Sequence, residues 1–157
     1  MEKELELRLH SLQLDKVYVE KLAGENKVAK FGKLPVERHA HTEVETSAKV
    51  LGTTDFEIRL RLKVTGKAPG RKSPFMKMDV TIVGVGKSSK KDLSGDDLES
   101  FAGASGPFLL WPYARMYLGQ LSQQLGFPPF LLPTLEIPAK FTKSTETQDE
   151  VRASEKK

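Results

Sequence analysis

Hydrophobic and polar residues alternate through much of the first half of this chain, the period of a strand with one buried and one wet face. Phe56, Ile58, Leu60, Leu62 and Val64 share one face, and Glu57, Arg59, Arg61 and Lys63 take the other. A loop from Thr65 to Ser73, with Gly66, Pro69 and Gly70, separates this strand from a second one. There Met76, Met78, Val80 and Ile82 alternate with Lys77, Asp79 and Thr81, which predicts an antiparallel return. Upstream, Leu5, Leu7 and Leu9 open a long strand that reaches Val17 and Val19 through phase slips, so bulges are expected near Ser11 and Lys16. Residues 21–36 include Gly24, Asn26, Gly32 and Pro35 and read as a connecting loop; 37–50 read as a strand of low apolar content. Gly84, Gly86 and the run Lys87-Ser88-Ser89-Lys90-Lys91 are expected to end the sheet.

The period then changes. Ser94 or Asp96 is placed to cap a short helix containing Leu98 and Phe101. Within Gly106-Pro107-Phe108-Leu109-Leu110-Trp111-Pro112-Tyr113-Ala114-Arg115, Pro112 has a fixed φ and no N–H, which suits a first helical turn. A helix is predicted from Pro112 to Leu125, stopped by Gly126, Pro128 and Pro129. Tyr113, Met116, Tyr117, Gln120, Leu121 and Gln124 form one stripe of it, while Leu118 and Leu125 extend apolar surface to another; two such faces call for two partners. Strands before helices give an α+β class: a four-stranded antiparallel sheet, one long helix, and a short or frayed second helix near Ala139 to Phe141. Residues 1–141 form the expected domain. Residues 142–157 pair Lys143, Arg152, Lys156 and Lys157 with Glu146, Asp149, Glu150 and Glu155, carry almost no apolar surface, and are expected to be mobile.

Composition narrows the functional classes. A chain of 157 residues suits one domain with a real core, and no apolar run approaches the roughly 20 residues that cross a bilayer. The absence of cysteine excludes disulfides and thiolate metal sites. The 25 basic residues exceed the 21 acidic ones by too little to indicate nucleic-acid binding, although the pI is about 9.2. The residues after Met1 lack the apolar core and small-residue cleavage site of a signal peptide, so a cytoplasmic location is expected.

Candidate chemistry is sparse. His39, His41 and Glu43 share a strand face in a spacing that permits zinc, but no fourth ligand accompanies them, and a solvated face explains them; His10 is isolated. Gly84-Val85-Gly86-Lys87-Ser88 imitates the end of a phosphate-binding loop, yet Thr81 stands where the first glycine must be. Asp96-Asp97 is explained by helix capping, and no nucleophile motif exists, so no enzymatic activity and no cofactor are expected. Arg59, Arg61 and Lys63 with Lys67, Arg71 and Lys72 are a candidate basic patch for RNA, but the strand positions lack interleaved aromatics that would stack bases. The run from Phe127 through Pro128, Pro129, Phe130, Leu131, Leu132, Pro133 and Ile137 to Pro138 is too proline-rich for a helix. It is also too apolar for every residue to enter one small core, so some should line a groove or an interface.

The segment from Phe101 to Phe141 resembles the SecB-type export chaperones. Gly103, Pro107, Leu109, Leu110, Trp111, Pro112, Tyr113, Ala114 and Arg115 follow that family's pattern in order, and Phe127-Pro128, Leu132, Ala139 and Phe141 continue it. Upstream the likeness is a shared order of four strands. The resemblance implies an ATP-independent holdase for unfolded or presecretory polypeptides, assembled as a dimer of dimers, a homotetramer. It implies client grooves at Phe31, Leu34 and Val36 with Phe127, Phe130, Leu132, Ile137 and Phe141. It implies an oligomer interface on the helix at Tyr113, Met116, Tyr117, Leu118, Gln120, Leu121 and Gln124. Docking on the export motor SecA through an acidic sheet face also follows, and the basic net charge argues against it. That charge and the shortened second helix favour an alternative, a SecB-like chaperone dedicated to one partner such as an antitoxin. An RNA-binding module using the basic face is the rival from another class.

Overall fold

The strictest alternation in the sequence forms the middle of the sheet. The computed structural model describes residues 12–35, 37–89 and 95–133. Strands β1 (Leu12–Asn26), β2 (His39–Val50), β3 (Asp55–Lys67) and β4 (Met76–Ser88) lie in the order β1-β4-β3-β2, every neighbouring pair antiparallel. The central pair, β3 and β4, turns Phe56, Ile58, Leu60, Leu62, Val64, Met78, Val80 and Ile82 to one side, where they form the core with the helix α1 (Gly95–Gln124). The apolar-poor segments take the two edges, where half of each strand's neighbours are solvent. No described helix is long and apolar enough to cross a membrane.

The predicted class and four antiparallel strands are present, and several boundaries differ. Residues 21–26 belong to β1, not to a loop; the true connection holds a short 3-10 helix at Val28–Phe31. Register shifts between Leu14 and Lys16 and between Val19 and Lys21 insert Asp15 and Glu20 as extra residues. The first shift moves the inward phase from Leu14 to Val17, so both pack on the core. Gly24, which reads as a breaker, lies under the end of α1: a Cβ there would sit 2.7 Å from Leu125 Cδ1. Gly84 and Gly86 likewise lie inside β4, which runs on to Ser88. Residues 1–11 and 134–157, with the expected bulge near Ser11, the second helix and the charged tail, fall outside the described residues.

The helix does not begin at Pro112. It runs from Gly95, takes in the short helix expected around Leu98 and Phe101, and carries Pro107 and Pro112 inside it. An internal proline removes one hydrogen bond and clashes with the preceding turn, at about 3 kcal/mol each. Packing outweighs this. Leu110, Ala114 and Leu118 are fully buried on the sheet, and Trp111 and Leu121 nearly so, and each large side chain buried in this way contributes about 1.5–3 kcal/mol. Close approach is secured by Gly106, whose absent Cβ would stand 2.7 Å from Ile58 Cγ1, and by Gly84, where a Cβ would meet Leu110 Cδ2 at 2.9 Å.

The opposite face of the sheet is a network of charges. Arg61 forks onto Asp79 through Nε (3.0 Å) and Nη2 (2.8 Å), and Lys21 Nζ reaches the same carboxylate at 2.8 Å. Arg59 Nη2 donates to Glu20 at 2.7 Å, so the second bulge of β1 aims a carboxylate across β4 onto β3. Lys63 Nζ donates to Glu45 at 3.3 Å. The Arg61 fork, assisted by Lys21, holds the Asp79 carboxyl well below the usual carboxylate range, against the opposing effect of burial.

Two expectations follow from this packing. Alanine at position 106 should destabilise the fold by about 1–3 kcal/mol in urea titrations, because overpacking against Ile58 exceeds the gain of about 1 kcal/mol in helix propensity. A more stable Gly106→Ala variant would mean that α1 and β3 are not in this close contact. For Asp79, the depressed folded-state value means the folded chain binds this proton less readily than the unfolded chain. Its contribution is present above the unfolded pKa of about 3.9 and is lost as pH falls from there toward the folded value. Asp79→Asn should therefore flatten the loss of stability between about pH 5 and pH 2, measured by urea midpoints, relative to the parent chain. Equal slopes would show that the fork is not maintained in solution.

Candidate functional site

The C-terminus of α1 and the segment after it build a largely apolar cleft. Gly126, at φ +89°, adopts the left-handed conformation that ends helices. The Gly126 N–H donates to the Gln123 carbonyl and the Phe127 N–H to the Ser122 carbonyl, both at 2.9 Å, the paired bonds of a Schellman turn. Asn26 at the end of β1 donates from Nδ2 to the Leu125 carbonyl at 2.7 Å, tying the helix terminus to the sheet.

Two polar contacts then fold the proline-rich segment back along the helix. The buried Ser122 hydroxyl donates to the Gly119 carbonyl (2.8 Å) and accepts from the Phe130 N–H (2.7 Å). Trp111 Nε1 donates to the Pro133 carbonyl at 2.9 Å. Between these pins Leu132 is buried at 1% exposure, while Leu131 stands at 81%. Phe127 packs edge-on against Phe75, ring centres 5.8 Å apart, and Phe75 in turn covers Gly66, where a Cβ would come within 2.8 Å of its ring.

The resulting groove runs between the start of β2, at Arg38, His39 and Ala40, and the wall formed by Phe127, Pro128, Pro129, Phe130 and Leu131, with Gly66, Phe75, Met76 and Ser122 also lining it. Its volume is about 290 Å³, enough for side chains of an extended chain and too small for a folded partner. Aromatic and proline surfaces dominate, so it can hold many side chains without demanding particular hydrogen bonds.

Of the residues expected in a groove, Phe127 and Phe130 line this one. Leu132 is instead part of the core, because the Trp111–Pro133 bond turns it inward. Phe31 and Leu34 pack against the core from the β1–β2 connection, and neither lines this groove; the Arg71 guanidinium covers the Phe31 ring at 4.6 Å. Val36, Ile137 and Phe141 lie outside the described residues. Sequence reasoning missed Phe75, Met76, Arg38 and His39, which reach the groove only through sheet pairing. Leu131 stood inside the apolar run it singled out.

The helix residues divide. Tyr113, Met116 (45% exposed), Gln120 and Gln124 face solvent with Tyr117 half-buried beside them, whereas Leu118 and Leu121 point into this chain's own core. The stripe is therefore narrower than expected, since 3.6-residue geometry sends positions 118 and 121 to the sheet side. Among the other candidates, His39, His41 and Glu43 are exposed on the edge strand, with His41 Nε2 4.0 Å from Glu43. Gly84 to Ser88 is paired β4 ladder rather than a loop. Asp96 and Asp97 occupy the first turn of α1. His10 is outside the described residues. Arg59, Arg61 and Lys63 form no open basic patch: each has a carboxylate partner.

Comparison with known proteins agrees with this architecture. The family model described as SecB, preprotein translocase subunit SecB, matches residues 6–148. The protein-export protein SecB of Chromobacterium violaceum is 30% identical over 95 residues, 60% of this chain and 61% of that protein, less than two thirds of its length. That of Ruegeria pomeroyi is 22% identical over 142 residues, 89% of this chain and 85% of the relative. Among solved structures, the Mycobacterium tuberculosis Rv1957 SecB-like chaperone, in complex with a ChAD peptide from the Rv1956 HigA1 antitoxin, superposes with a TM-score of 0.66 at 18% identity. The superposition covers 82% of this chain and 94% of that one, and at this identity it speaks to the fold alone. The family match runs through all four strands, the helix and the folded-back segment that walls the groove, and the chain belongs to the SecB family.

Proposed function

We propose that this chain is an ATP-independent holdase that binds extended apolar segments of unfolded polypeptides, among them presecretory proteins, in the cytoplasm. The observation that carries the reading is the groove between Phe75 and the wall at Phe127–Leu131, with a large apolar side chain, Leu131, standing almost free at its mouth. Solvated apolar side chains beside a cleft offer binding energy to any chain that covers them. Residues Val36, Ile137 and Phe141 belong to the same proposal as extensions of the groove.

Assembly as a dimer of dimers is part of the proposal, with Tyr113, Met116, Tyr117, Gln120 and Gln124 as the helix surface that meets a second copy. The half-exposed Met116 and Tyr113 support it, being more apolar surface than a solvated helix face needs. The ion pairs on the outer sheet face weigh against two other partners. Glu20, Glu45, Glu57 and Asp79 are already engaged by Arg59, Lys63, Arg61 and Lys21, so these cations are not free for RNA and these carboxylates are not free for SecA. A second reading keeps the same groove but gives it one dedicated client. It is favoured by the SecB-like structural relative that carries an antitoxin peptide.

Light scattering of a refolding client separates the two readings: near-stoichiometric protein should suppress aggregation of several unrelated clients without ATP. Undiminished aggregation across them would leave only the dedicated reading. In the groove, Phe130→Ala should weaken client binding by about 1–3 kcal/mol at all salt concentrations, the burial of one large side chain. Leu131→Asp should do at least as much while leaving the melting temperature unchanged, since that residue packs on almost nothing. Full affinity in both variants would move the site elsewhere.

The helix surface has its own test. Met116→Asp should lower the mass seen by sedimentation while the fold persists. Leu118→Asp should unfold the chain, because an unpaired charge in the core costs several kcal/mol. A tetramer unchanged by Met116→Asp would remove this surface from the interface.

A further inference from the structure

The floor of the groove is apolar, but its rim carries charge of one sign. Arg38 and His39 form the wall that β2 contributes, and no carboxylate lines the cleft. Two other lining residues, Gly66 beside the last residue of β3 and Phe75 just before β4, are joined by a hydrogen bond from the Phe75 N–H to the Gly66 carbonyl at 2.9 Å. Beyond that bond come Lys67, which ends β3, and Arg71 and Lys72 in the loop to β4. The 4.6 Å stacking of Arg71 on Phe31 holds one of these charges in place.

All four cations, Arg38, Lys67, Arg71 and Lys72, are exposed, and among the described residues none of them makes an ion pair. At the centre of the outer sheet face, by comparison, Lys21, Arg59, Arg61 and Lys63 each meet a carboxylate. With Arg38 in its wall, Lys67 one residue beyond Gly66, and no carboxylate among its lining residues, the cleft meets positive charge only. Glu37, next to Arg38 in sequence, does not line it.

From this we infer that the groove selects extended segments whose apolar residues are flanked by aspartate or glutamate, and discriminates against segments flanked by lysine or arginine. The inference rests on the groove being the client site. The apolar residues supply retention; the flanking charges set the choice, because exposed cations attract carboxylates over a Debye length while like charges repel.

The test uses the full chain and three matched fluorescent peptides with one common apolar core, flanked by glutamate, serine or lysine. By anisotropy, the glutamate-flanked peptide should bind about tenfold more tightly than the lysine-flanked one at low ionic strength, the product of a few exposed charge pairs worth a few-fold each. The difference should collapse at about 1 M salt, where the screening length falls to about 3 Å. Combining Arg38→Gln with Lys72→Gln, both at exposed positions, should remove most of the preference, read within the variant as the ratio of glutamate-flanked to lysine-flanked affinity. Equal affinities, a reversed order, or a preference that survives the double substitution would overturn the charge selection while the groove reading stands. Failure of all three peptides to bind would remove the groove reading, and this inference with it.

Discussion

Everything in this chain depends on how closely one helix lies on one sheet. The contact is made where side chains are missing: Gly106 on the helix over Ile58, and Gly84 on the sheet under Leu110. With backbones this near, the large residues between them, Phe56, Leu60, Leu118 and Ile82, have no exposed surface at all. Dense contact of this kind favours the fold strongly enough to hold two prolines inside a thirty-residue helix. It also fixes where the helix ends, and so where Gly126 can turn the chain back to make the groove wall.

The two faces of the sheet perform different tasks. One is dry and specifies the fold. The other is wet, and at its centre Lys21, Arg59, Arg61 and Lys63 each meet a carboxylate across neighbouring strands, with the bulge at Glu20 placing a carboxylate over Arg59. Such exposed pairs contribute little stability individually. Their larger effect is to engage the carboxylates at the centre of that face, whereas no carboxylate lines the groove.

Legibility in the sequence followed the range of the interactions involved. The centres of β3 and β4 could be read because strict alternation is a local signal with one meaning. The edge β1 was harder, since its two bulges break phase. Gly24 gives the same local signal as a turn glycine, although it is there to admit Leu125. Pro112 misled for a similar reason: the rule that sets proline at a helix start does not register the packing that carries the helix through it. At the site, Phe127 and Phe130 could be named because an apolar run studded with proline has few other uses. Leu132 lies one residue from the exposed Leu131 and differs only through the Trp111–Pro133 bond, while Phe75 and Arg38 enter through strand pairing. Neither effect is written in local spacing.

The proline content of the groove wall has one more consequence. Pro128, Pro129 and Pro133 lack the N–H donor that a neighbouring strand would need. The wall therefore attracts apolar side chains but gives little purchase to a bound polypeptide's backbone. Ordinarily an exposed apolar segment as extended as this one is a template for sheet growth, the route by which unfolded chains and their holders coalesce into fibrils. Here the segment offers apolar side chains and few N–H donors, which makes it a poor template for an added strand.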